Sequence, residues 1–313
     1  MNLMNIEQNA ENLRLLGLIV AQRGETIYQH NWDSPCRRLL FSASKSFTGA
    51  AVGFAVQEGL LRLDDRLIEL FPDEAPENPS ENLCRATIRD ALTMCIGQSR
   101  GYLMGAQRVS MAEENWAKAV LALPFDEAPG THFVYSNVGP YLAGLAVQKR
   151  AGCDLVDYLM PRLFAPLGIQ RTVWEVDPLG RTFGAAGLLL ALPELHKLGL
   201  LYQQGGQWQG KQLLDPNWVR ESGRKQVENE EDGYGYLFWR GKYDSYRADG
   251  LYGQYSVILP AQEAVITCTA ENRNQKQLLE TLLDAIVPQL SRGGHPHVHA
   301  RFAHHDRRHA RHV

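Results

Sequence analysis

The amino-acid sequence predicts an α+β fold in which an antiparallel β-sheet is flanked by helices and carries an inserted helical subdomain. Strand-forming patterns occupy both ends of the chain, at 15–30 and 235–269, whereas helical patterns fill the middle. Strands at both ends around a helical middle are typical of an α+β domain with a helical insertion. A loop rich in Pro, Glu and Asn at 72–82 marks the entry into the helical part.

Apolar spacing and turn residues predict the individual elements. Two apolar runs at 15–21 and 26–30 flank Gln22-Arg23-Gly24-Glu25 and predict an N-terminal β-hairpin. Helical spacing predicts helices at 46–61, 87–96, 113–123, 138–151, 153–165 and 274–290, with one more after Gly187. Strand patterns occur at 235–240, 245–249, 254–259 and 264–269.

These elements predict two structural units and a tail. Residues 1–72 and 180–290 form the sheet domain, and residues 73–179 form the helical subdomain. The segment 291–313 holds seven of the ten histidines and few apolar residues, so we predict that it is disordered. A His-rich tract can bind metal adventitiously, and we predict no physiological metal site in it.

Composition excludes several classes of protein. A chain of 313 residues with 44% hydrophobic and 21% charged residues is typical of a soluble globular protein. No apolar run is long enough to cross a membrane, and the N-terminus lacks the pattern of a secretory signal. The five cysteines lack metal-site or disulfide spacing, so we expect reduced thiols and a cytoplasmic location.

The charge distribution argues against nucleic acid as a partner. The chain has 32 basic and 35 acidic residues, of which five arginines and one aspartate belong to the tail. The remaining 27 basic and 34 acidic residues give the body of the protein a mildly acidic balance. Binding of nucleic acid usually requires a basic surface, so we expect neither nucleic acid nor a membrane as a partner.

The tetrad Ser42-Ala43-Ser44-Lys45 lies where an extended segment meets a long apolar helix. Ser42 and Lys45 are three residues apart and therefore share one face of the first helical turn. A serine hydroxyl becomes a nucleophile when a base removes its proton, and a lysine with a lowered pKa can be that base. The alternative is structural, with Ser42 capping the helix and Lys45 in solvent.

Further motifs follow in a fixed order. They are TIRDALTMCIGQ at 87–98, PGTHFVYSNVGPYLAG at 129–144 and ADGLYGQY at 248–255. Together with SASKSFTG, this series resembles the serine β-lactamase-like hydrolases over about residues 10–290. That group includes class C β-lactamases, DD-peptidases, family VIII esterases and 6-aminohexanoate-oligomer hydrolases. The resemblance implies the fold described above and a catalytic serine, with neither a metal nor an organic cofactor.

The resemblance implies roles for the second motif. It places Tyr135 beside Lys45, where a neighbouring ammonium would lower the pKa of the phenol and let it exchange a proton with Ser42. The amide of Asn137 can both donate and accept, which suits it to hold Lys45 and a substrate carbonyl. Asn137 is also a good N-cap for the following helix, and the two roles are compatible.

The third motif departs from the family pattern. Relatives carry Lys-Thr-Gly, His-Thr-Gly or His-Gly-Gly, and the matching triplet is taken to be Leu251-Tyr252-Gly253. Gly253 would let the strand approach the substrate, and the backbone N–H of Gln254 would join that of Ser42 as an oxyanion donor. The cation that binds a substrate carboxylate in relatives is missing, which favours esters or small amides as substrates.

Further residues are candidates for a replacement cation, for the pocket lining and for an alternative nucleophile. Arg247 or Lys242 could replace the missing cation, although such residues are usually solvated. Tyr252 and Tyr102 are candidates for lining an apolar pocket. Gly97-Gln98-Ser99-Arg100-Gly101 matches the nucleophile elbow of α/β-hydrolases, but that elbow requires a preceding strand, and the stretch before Ser99 has helical spacing.

The sequence thus predicts a serine hydrolase that cleaves an ester or amide bond of a small molecule through an acyl-enzyme on Ser42. One alternative is a ligand-binding protein on the same scaffold without catalysis. Another is a β-lactamase or DD-peptidase activity that persists despite Leu251. The intact set Ser42, Lys45, Tyr135 and Asn137 favours catalysis. The sequence specifies neither the acyl group, nor the leaving group, nor the oligomeric state.

Overall fold

A six-stranded antiparallel sheet is the scaffold of the protein in the computed structural model, which describes residues 1–291. Its strands are β1 (Leu15–Gln22), β2 (Glu25–Asn31), β7 (Trp239–Gly241), β8 (Ser245–Gly250), β9 (Gln254–Leu259) and β10 (Ala264–Ala270). They lie in the sheet in the order β2-β1-β10-β9-β8-β7. Four short strands form two separate ribbons: β3 (Arg38–Leu39) with β4 (Leu189–Leu190), and β5 (Gln207–Trp208) with β6 (Lys211–Gln212).

Twelve α-helices are present in residues 1–291. Of the four longest, α2 (Ser44–Gln57), α8 (Val138–Ala151) and α10 (Leu192–Gln203) pack on one side of the sheet, and α12 (Gln275–Ile286) packs on the other. The shorter helices are α1 (Met4–Asn9), α3 (Leu67–Leu70), α4 (Glu81–Arg85), α5 (Ile88–Leu92), α6 (Gly105–Val109), α7 (Trp116–Leu121), α9 (Leu155–Leu159) and α11 (Pro216–Gly223). None of the helices in the described part of the chain combines the length and apolarity needed to cross a bilayer.

The sheet separates two hydrophobic cores. On one face, Tyr246, Ala248 and Ile258 join the large core built with α2, α8 and α10. On the other face, Tyr255 and Val257 join a smaller core formed with α1 and α12. The alternation follows from the two-residue period of a strand, which sends successive side chains of β8 and β9 to opposite faces.

Local sequence explains where several helices begin and end. Thr87 and Asp90 form a reciprocal capping box that starts α5, and the side chain of Asn274 caps α12. Helix α8 ends at Gly152, whose φ of 71° is a left-handed conformation that glycine adopts without strain.

The predicted α+β fold is confirmed. The structure has the N-terminal hairpin, the helices at the predicted places and three of the four C-terminal strands close to their predicted bounds. The strand expected at 235–240 is shorter, at 239–241, because the amide of Leu237 (φ 60°) donates to the carbonyl of Leu92 instead of entering a ladder. The helix expected at 153–165 changes to a π-helical turn at Met160–Phe164, where Pro161 lacks an N–H.

Some predictions lie outside what the structure tests. The division into 1–72 with 180–290 and 73–179 stays a prediction. The tail predicted at 291–313 lies, apart from its first residue, outside the described residues. Several short elements were not predicted, namely α1, α3, α4, α6, α11 and the strands β4 to β6. They are too short for periodicity to reveal them.

His196 on α10 makes the stability of this fold depend on pH. Its Nδ1 lies 2.7 Å from the Thr267 hydroxyl on β10, and burial lowers the pKa of His196 to about 4. Between about pH 4 and pH 6.5, His196 therefore binds a proton more readily in the unfolded chain than in the folded protein. The contribution of His196 to the free energy of unfolding is complete above the unfolded pKa of about 6.5 and is lost as the pH falls toward 4. In His196→Asn, we expect the loss of unfolding free energy between about pH 7 and pH 4.5 to be about 2 kcal/mol smaller than in the unchanged protein.

Urea denaturation at both pH values measures that difference. His30→Gln is the matched control, because His30 is exposed on β2, and it should keep the pH dependence of the unchanged protein. Equal pH dependence in the His196 and His30 variants would contradict the prediction.

Candidate active site

Ser42 lies in a 3-10 turn, Phe41–Ala43, that leads directly into α2. Phe41 has a φ of 49°, and its carbonyl accepts a hydrogen bond from the Ser44 hydroxyl at 2.6 Å. The same hydroxyl accepts from the amide of Leu188 at 3.1 Å. These contacts fix the turn, and Ser42 keeps partial exposure to a large cavity.

Lys45 is buried beneath Ser42, with 2% of its surface exposed. Its Nζ lies 2.9 Å from Ser42 Oγ, 2.7 Å from Asn137 Oδ1 and 2.8 Å from the carbonyl oxygen of Ala185. Burial, reinforced by the charge of Arg108 and opposed by that of Asp249, lowers the pKa of Lys45 to about 7. The alternative of a solvated lysine beside a capping serine is therefore wrong.

Tyr135 joins this pair from the second motif. The Lys45 Nζ lies 5.0 Å from the centroid of the Tyr135 ring, and Tyr135 lines the same cavity as Ser42. The pKa of Tyr135 is raised rather than lowered, because burial and the carboxylate of Asp249 outweigh the opposing effect of the Ser42 hydroxyl. The expectation of an acidified phenol is therefore wrong, and Tyr135 is a neutral phenol at physiological pH.

Asn137 holds Lys45 rather than capping a helix. Its Oδ1 accepts from Lys45, its Nδ2 donates to the carbonyl of Leu103 at 2.9 Å, and its side chain makes no capping hydrogen bond to α8. The hydroxyl of Ser136 instead accepts from the amide of Val138 at 3.2 Å. The structure thus separates the two roles that the sequence left open for Asn137.

The third motif lies against the serine turn through Gly250 and not through Gly253. A Cβ at Gly250 would lie 2.1 Å from the carbonyl of Leu40 and 3.2 Å from the amide of Ala43, so only glycine permits this approach. Leu251, the first residue after β8, lines the same cavity as Ser42. The triplet that meets the serine turn is consequently Ala248-Asp249-Gly250.

The expected positions of Gly253 and Gln254 therefore need correction. The amide of Gly253 donates to the carbonyl of Gly250 at 3.1 Å, which closes the hairpin between β8 and β9. Gln254 pairs with Gly250 across the ladder, and its side chain donates to the carbonyl of Ala270. Neither residue lines the cavity of Ser42, because the hairpin turns away after Leu251.

Tyr252 and Tyr102 also lie outside that cavity. The Tyr252 ring packs edge-on against Phe41, with centroids 5.3 Å apart, and lines a neighbouring cavity with Gln254. The Tyr102 hydroxyl accepts from Arg100 at 2.7 Å, while its backbone carbonyl accepts from the amide of Asn137. Tyr102 therefore holds the backbone of Asn137 by a hydrogen bond and does not line the cavity of Ser42.

Ser99 is an exposed loop residue. Its hydroxyl donates to Asp126 at 2.8 Å, and it does not line the cavity of Ser42. The segment before it is helix α5 and a turn, not a strand, so the context that a nucleophile elbow requires is missing.

The cavity has a volume of about 1010 Å³ and contains charged residues that sequence reasoning missed. Arg247 was expected to be solvated, but it is buried at 7% exposure and paired with Asp249, with a distance of 2.8 Å between Nε and Oδ2. Lys242, by contrast, is an exposed residue of the cavity rim, 3.9 Å from Glu280. The two-residue period of β8 was the available signal, since it places 245, 247 and 249 on one face.

Two other cavity residues, Arg108 and Trp239, were also missed. Arg108 forms an ion pair with Glu175, and its guanidinium lies 4.4 Å from the centroid of the Phe183 ring. Trp239 lies beside Tyr135, with 5.3 Å between ring centroids. No local pattern indicated these contacts, which join segments distant in sequence.

Curated relatives match only part of this chain. A D-aminopeptidase of Brucella anthropi is 32% identical over 171 residues, which is 49% of this chain and 31% of that protein. The acyltransferase mokF of Monascus pilosus is 30% identical over 164 residues, which is 46% of this chain and 39% of that protein. The chain therefore spans about a third of the length of these relatives.

Solved structures and a family description match much more of the chain. An octameric penicillin-binding protein homologue from Pyrococcus abyssi has a TM-score of 0.75 at 17% identity, covering 92% of this chain and 78% of the other. At that identity the similarity shows the fold. The sequence model of the family Beta-lactamase matches residues 5–286, so the chain belongs to the Beta-lactamase family.

Proposed function

We propose that the protein is a serine hydrolase that cleaves an ester or small amide through an acyl-enzyme on Ser42. The observation that carries the proposal is the contact of 2.9 Å between Ser42 Oγ and the buried Lys45 amine, whose pKa is lowered to about 7. A serine needs a base in hydrogen-bond reach that is at least partly uncharged at the working pH, and a lysine with a pKa of about 7 supports that role near neutral pH. Activities in the names of relatives, among them a D-aminopeptidase and an acyltransferase, are of the same acyl-transfer type.

In the acylation step, neutral Lys45 takes the proton of Ser42 while Oγ bonds to the substrate carbonyl carbon. The carbonyl electron pair moves to oxygen and returns as the bond to the leaving group breaks, and the proton from Lys45 passes to the leaving group. Tyr135, a neutral phenol that lines the same cavity as Ser42, relays that proton. Water then repeats the sequence on the acyl-enzyme, with Lys45 as the base, and releases the acid.

The oxyanion would be held by backbone N–H groups at the end of β8 and in the serine turn. We assign the second donor to Leu251 in place of Gln254, because Leu251 follows Gly250 and lines the cavity with Ser42. The amide of Ser42 is the first donor. Two N–H groups aimed at the developing charge are the usual device for acyl transfer.

The charged groups of the cavity favour substrates without a carboxylate. Arg247 is neutralised by Asp249 and Glu231, and Arg108 by Glu175. The cation that recognises β-lactams and peptide C-termini in relatives therefore has no direct substitute on β8. We also assign the protein to the cytoplasm, on the grounds that all five cysteines are unpaired thiols.

Ser42→Ala should abolish turnover of p-nitrophenyl esters and covalent labelling by a fluorophosphonate, because it removes the nucleophile. Ser99→Ala is the matched control and should retain both. Intact-mass spectrometry followed by peptide mapping locates the adduct. Labelling at Ser99, or no adduct on folded protein, would refute the proposal in favour of another nucleophile or a non-catalytic binding protein. A stable penicilloyl adduct would show a penicillin-binding activity.

The rate should depend on pH through Lys45. Below a pKa of about 7 the amine is protonated and cannot accept the proton of Ser42, so kcat/KM should rise as the pH increases through about 7. Arg108→Gln should move this limb to higher pH, because it removes a positive charge that lowers the pKa of Lys45. Rates of ester hydrolysis measured across the pH range test both expectations. If the rise in kcat/KM occurs at the same pH in Arg108→Gln as in the unchanged protein, the assignment of this pH dependence to Lys45 is contradicted.

Gly250→Ala should lower kcat by about a hundredfold, the effect of losing one oxyanion donor, because a Cβ there pushes β8 away from the serine turn. Gly253→Ala is the comparison: its φ of 94° and its contact with Leu278 predict lower thermal stability with a smaller loss of kcat. Ester hydrolysis and thermal unfolding of both variants give the answer. A larger loss of kcat in Gly253→Ala would restore Gly253 as the motif glycine.

A further inference from the structure

The wall of the cavity next to the serine turn is formed by one face of β8. Ser245, Arg247 and Asp249 line the cavity, while Tyr246 and Ala248 face the core. Asp249 directly precedes Gly250, the residue that contacts the serine turn. Its charge affects the pKa values of both Lys45 and Tyr135. A carboxylate therefore stands within the electrostatic reach of the reacting groups.

Arg247 orients this carboxylate and is the least exposed member of the group. Its Nε donates to Asp249 Oδ2 at 2.8 Å, one terminal nitrogen donates to the carbonyl of Arg240 at 2.9 Å, and the other lies 3.4 Å from Glu231. The Arg247 side chain is 8% exposed, against 19% for Asp249 and 50% for Glu231. One guanidinium thus serves two carboxylates, and the acidic members of the group are the more accessible.

Two aromatic rings share the cavity with these carboxylates. Trp239 and Tyr135 line the same cavity and lie 5.3 Å apart between ring centroids. Each already has a cation near one face, Arg247 at 5.9 Å from the Trp239 centroid and Lys45 at 5.0 Å from that of Tyr135. Aromatic faces next to a carboxylate are the combination that binds ammonium groups.

We propose that Asp249, Glu231, Trp239 and Tyr135 form a subsite for a cationic ammonium group on the acyl chain of the substrate. We assign the cation to the acyl chain because the subsite is continuous with the strand end that holds the carbonyl. This inference rests on the proposed function, since it defines the substrate class of the same site. Of the other cations of the cavity, Arg108 is paired with Glu175, Lys242 lies 3.9 Å from Glu280, and Arg273 and Lys276 lie at the start of α12.

Three p-nitrophenyl esters of equal chain length test the subsite on the unmodified protein. One carries a trimethylammonium group at the end of a butanoyl chain, the second has a tert-butyl group in its place, and the third is the monoester of glutarate. Each kcat/KM is divided by the second-order rate constant for hydroxide hydrolysis of that ester, which corrects for carbonyl reactivity without counting the intramolecular attack of the glutarate carboxylate on its own ester. We expect the cationic ester to exceed its neutral isostere by about tenfold or more, and the anionic ester to be the poorest.

Variants identify the group responsible. Asp249→Asn should lower the ratio of cationic to neutral kcat/KM by about tenfold, whatever its effect on the rate common to both esters. Glu280→Gln is the matched control, because Glu280 is a carboxylate of the same cavity beside Lys242 and away from the subsite. It should leave the ratio within about twofold if local contacts, not general attraction, set the preference. Should Asp249→Asn fail to fold, Glu231→Gln gives the same comparison with a more exposed carboxylate.

The outcomes separate this inference from the proposed function. Hydrolysis of the neutral ester at a rate equal to or above that of the cationic ester would overturn the subsite and leave the serine hydrolase in place. Preference for the glutarate monoester would do the same and point to the cations near α12. Absence of hydrolysis of all three esters, together with no fluorophosphonate adduct on Ser42, would overturn the proposed function itself. An equal loss of the ratio in the Glu280 variant would also refute the subsite.

Discussion

The burial of the Lys45 amine is the constraint on which the rest of the site depends. A buried amine must find acceptors within the protein, because an unpaired polar group in the interior costs several kcal/mol, roughly 2–7. Its three acceptors come from the serine turn, from Asn137 before α8 and from the loop at Ala185. Thr48, one turn further along α2, ties the same loop by donating to the carbonyl of Gly184 at 2.7 Å. These hydrogen bonds fix the two halves of the site relative to each other, and the same burial lowers the pKa of Lys45 to about 7.

The sequence predicted those parts of the site that depend on short spacing. Ser42 and Lys45 meet because a helical turn brings residues three apart together, and Tyr135 and Asn137 are separated by one residue. The contact between the two motifs, across 92 residues from Lys45 to Asn137, could not follow from periodicity and came from the resemblance to a family. The raised pKa of Tyr135 could not be predicted either. Burial and a neighbouring positive charge shift the pKa of a phenol in opposite directions, and which effect is larger depends on the packing.

The third motif shows why strand register is harder to predict than helical spacing. Gly250 and Gly253 both fit a strand end, and the segment between them, Leu251 and Tyr252, is apolar. The pairing of Gly250 with Gln254 makes residues 251–253 the connection of a hairpin, with Tyr252 at a φ of 67°. The predicted strands at 245–249 and 254–259 already left residues 250–253 between them, but the sequence did not indicate which of the two glycines contacts the serine turn. A bulky residue in the conformation of Tyr252 is also uncommon. The motif glycine is Gly250 and not Gly253, a difference of three residues. Because side chains alternate between the two faces of a strand with a period of two, an odd shift exchanges the face expected for each residue before the glycine.

That reversal decides the chemistry of the cavity wall. With Gly250 against the serine turn, Arg247 and Asp249 face the cavity, and the buried Arg247 of this pair lies 5.9 Å from the Trp239 centroid. Stability does not explain such a pair, since replacing a buried ion pair by apolar residues of similar volume is often neutral or stabilising. Apolar side chains at 247 and 249 would extend the core that Tyr255 and Val257 form on the same face of the sheet. An ion pair at the mouth of a reaction cavity instead fixes the direction of a carboxylate, and a fixed carboxylate discriminates between ligands by charge without having to reorganise when they bind.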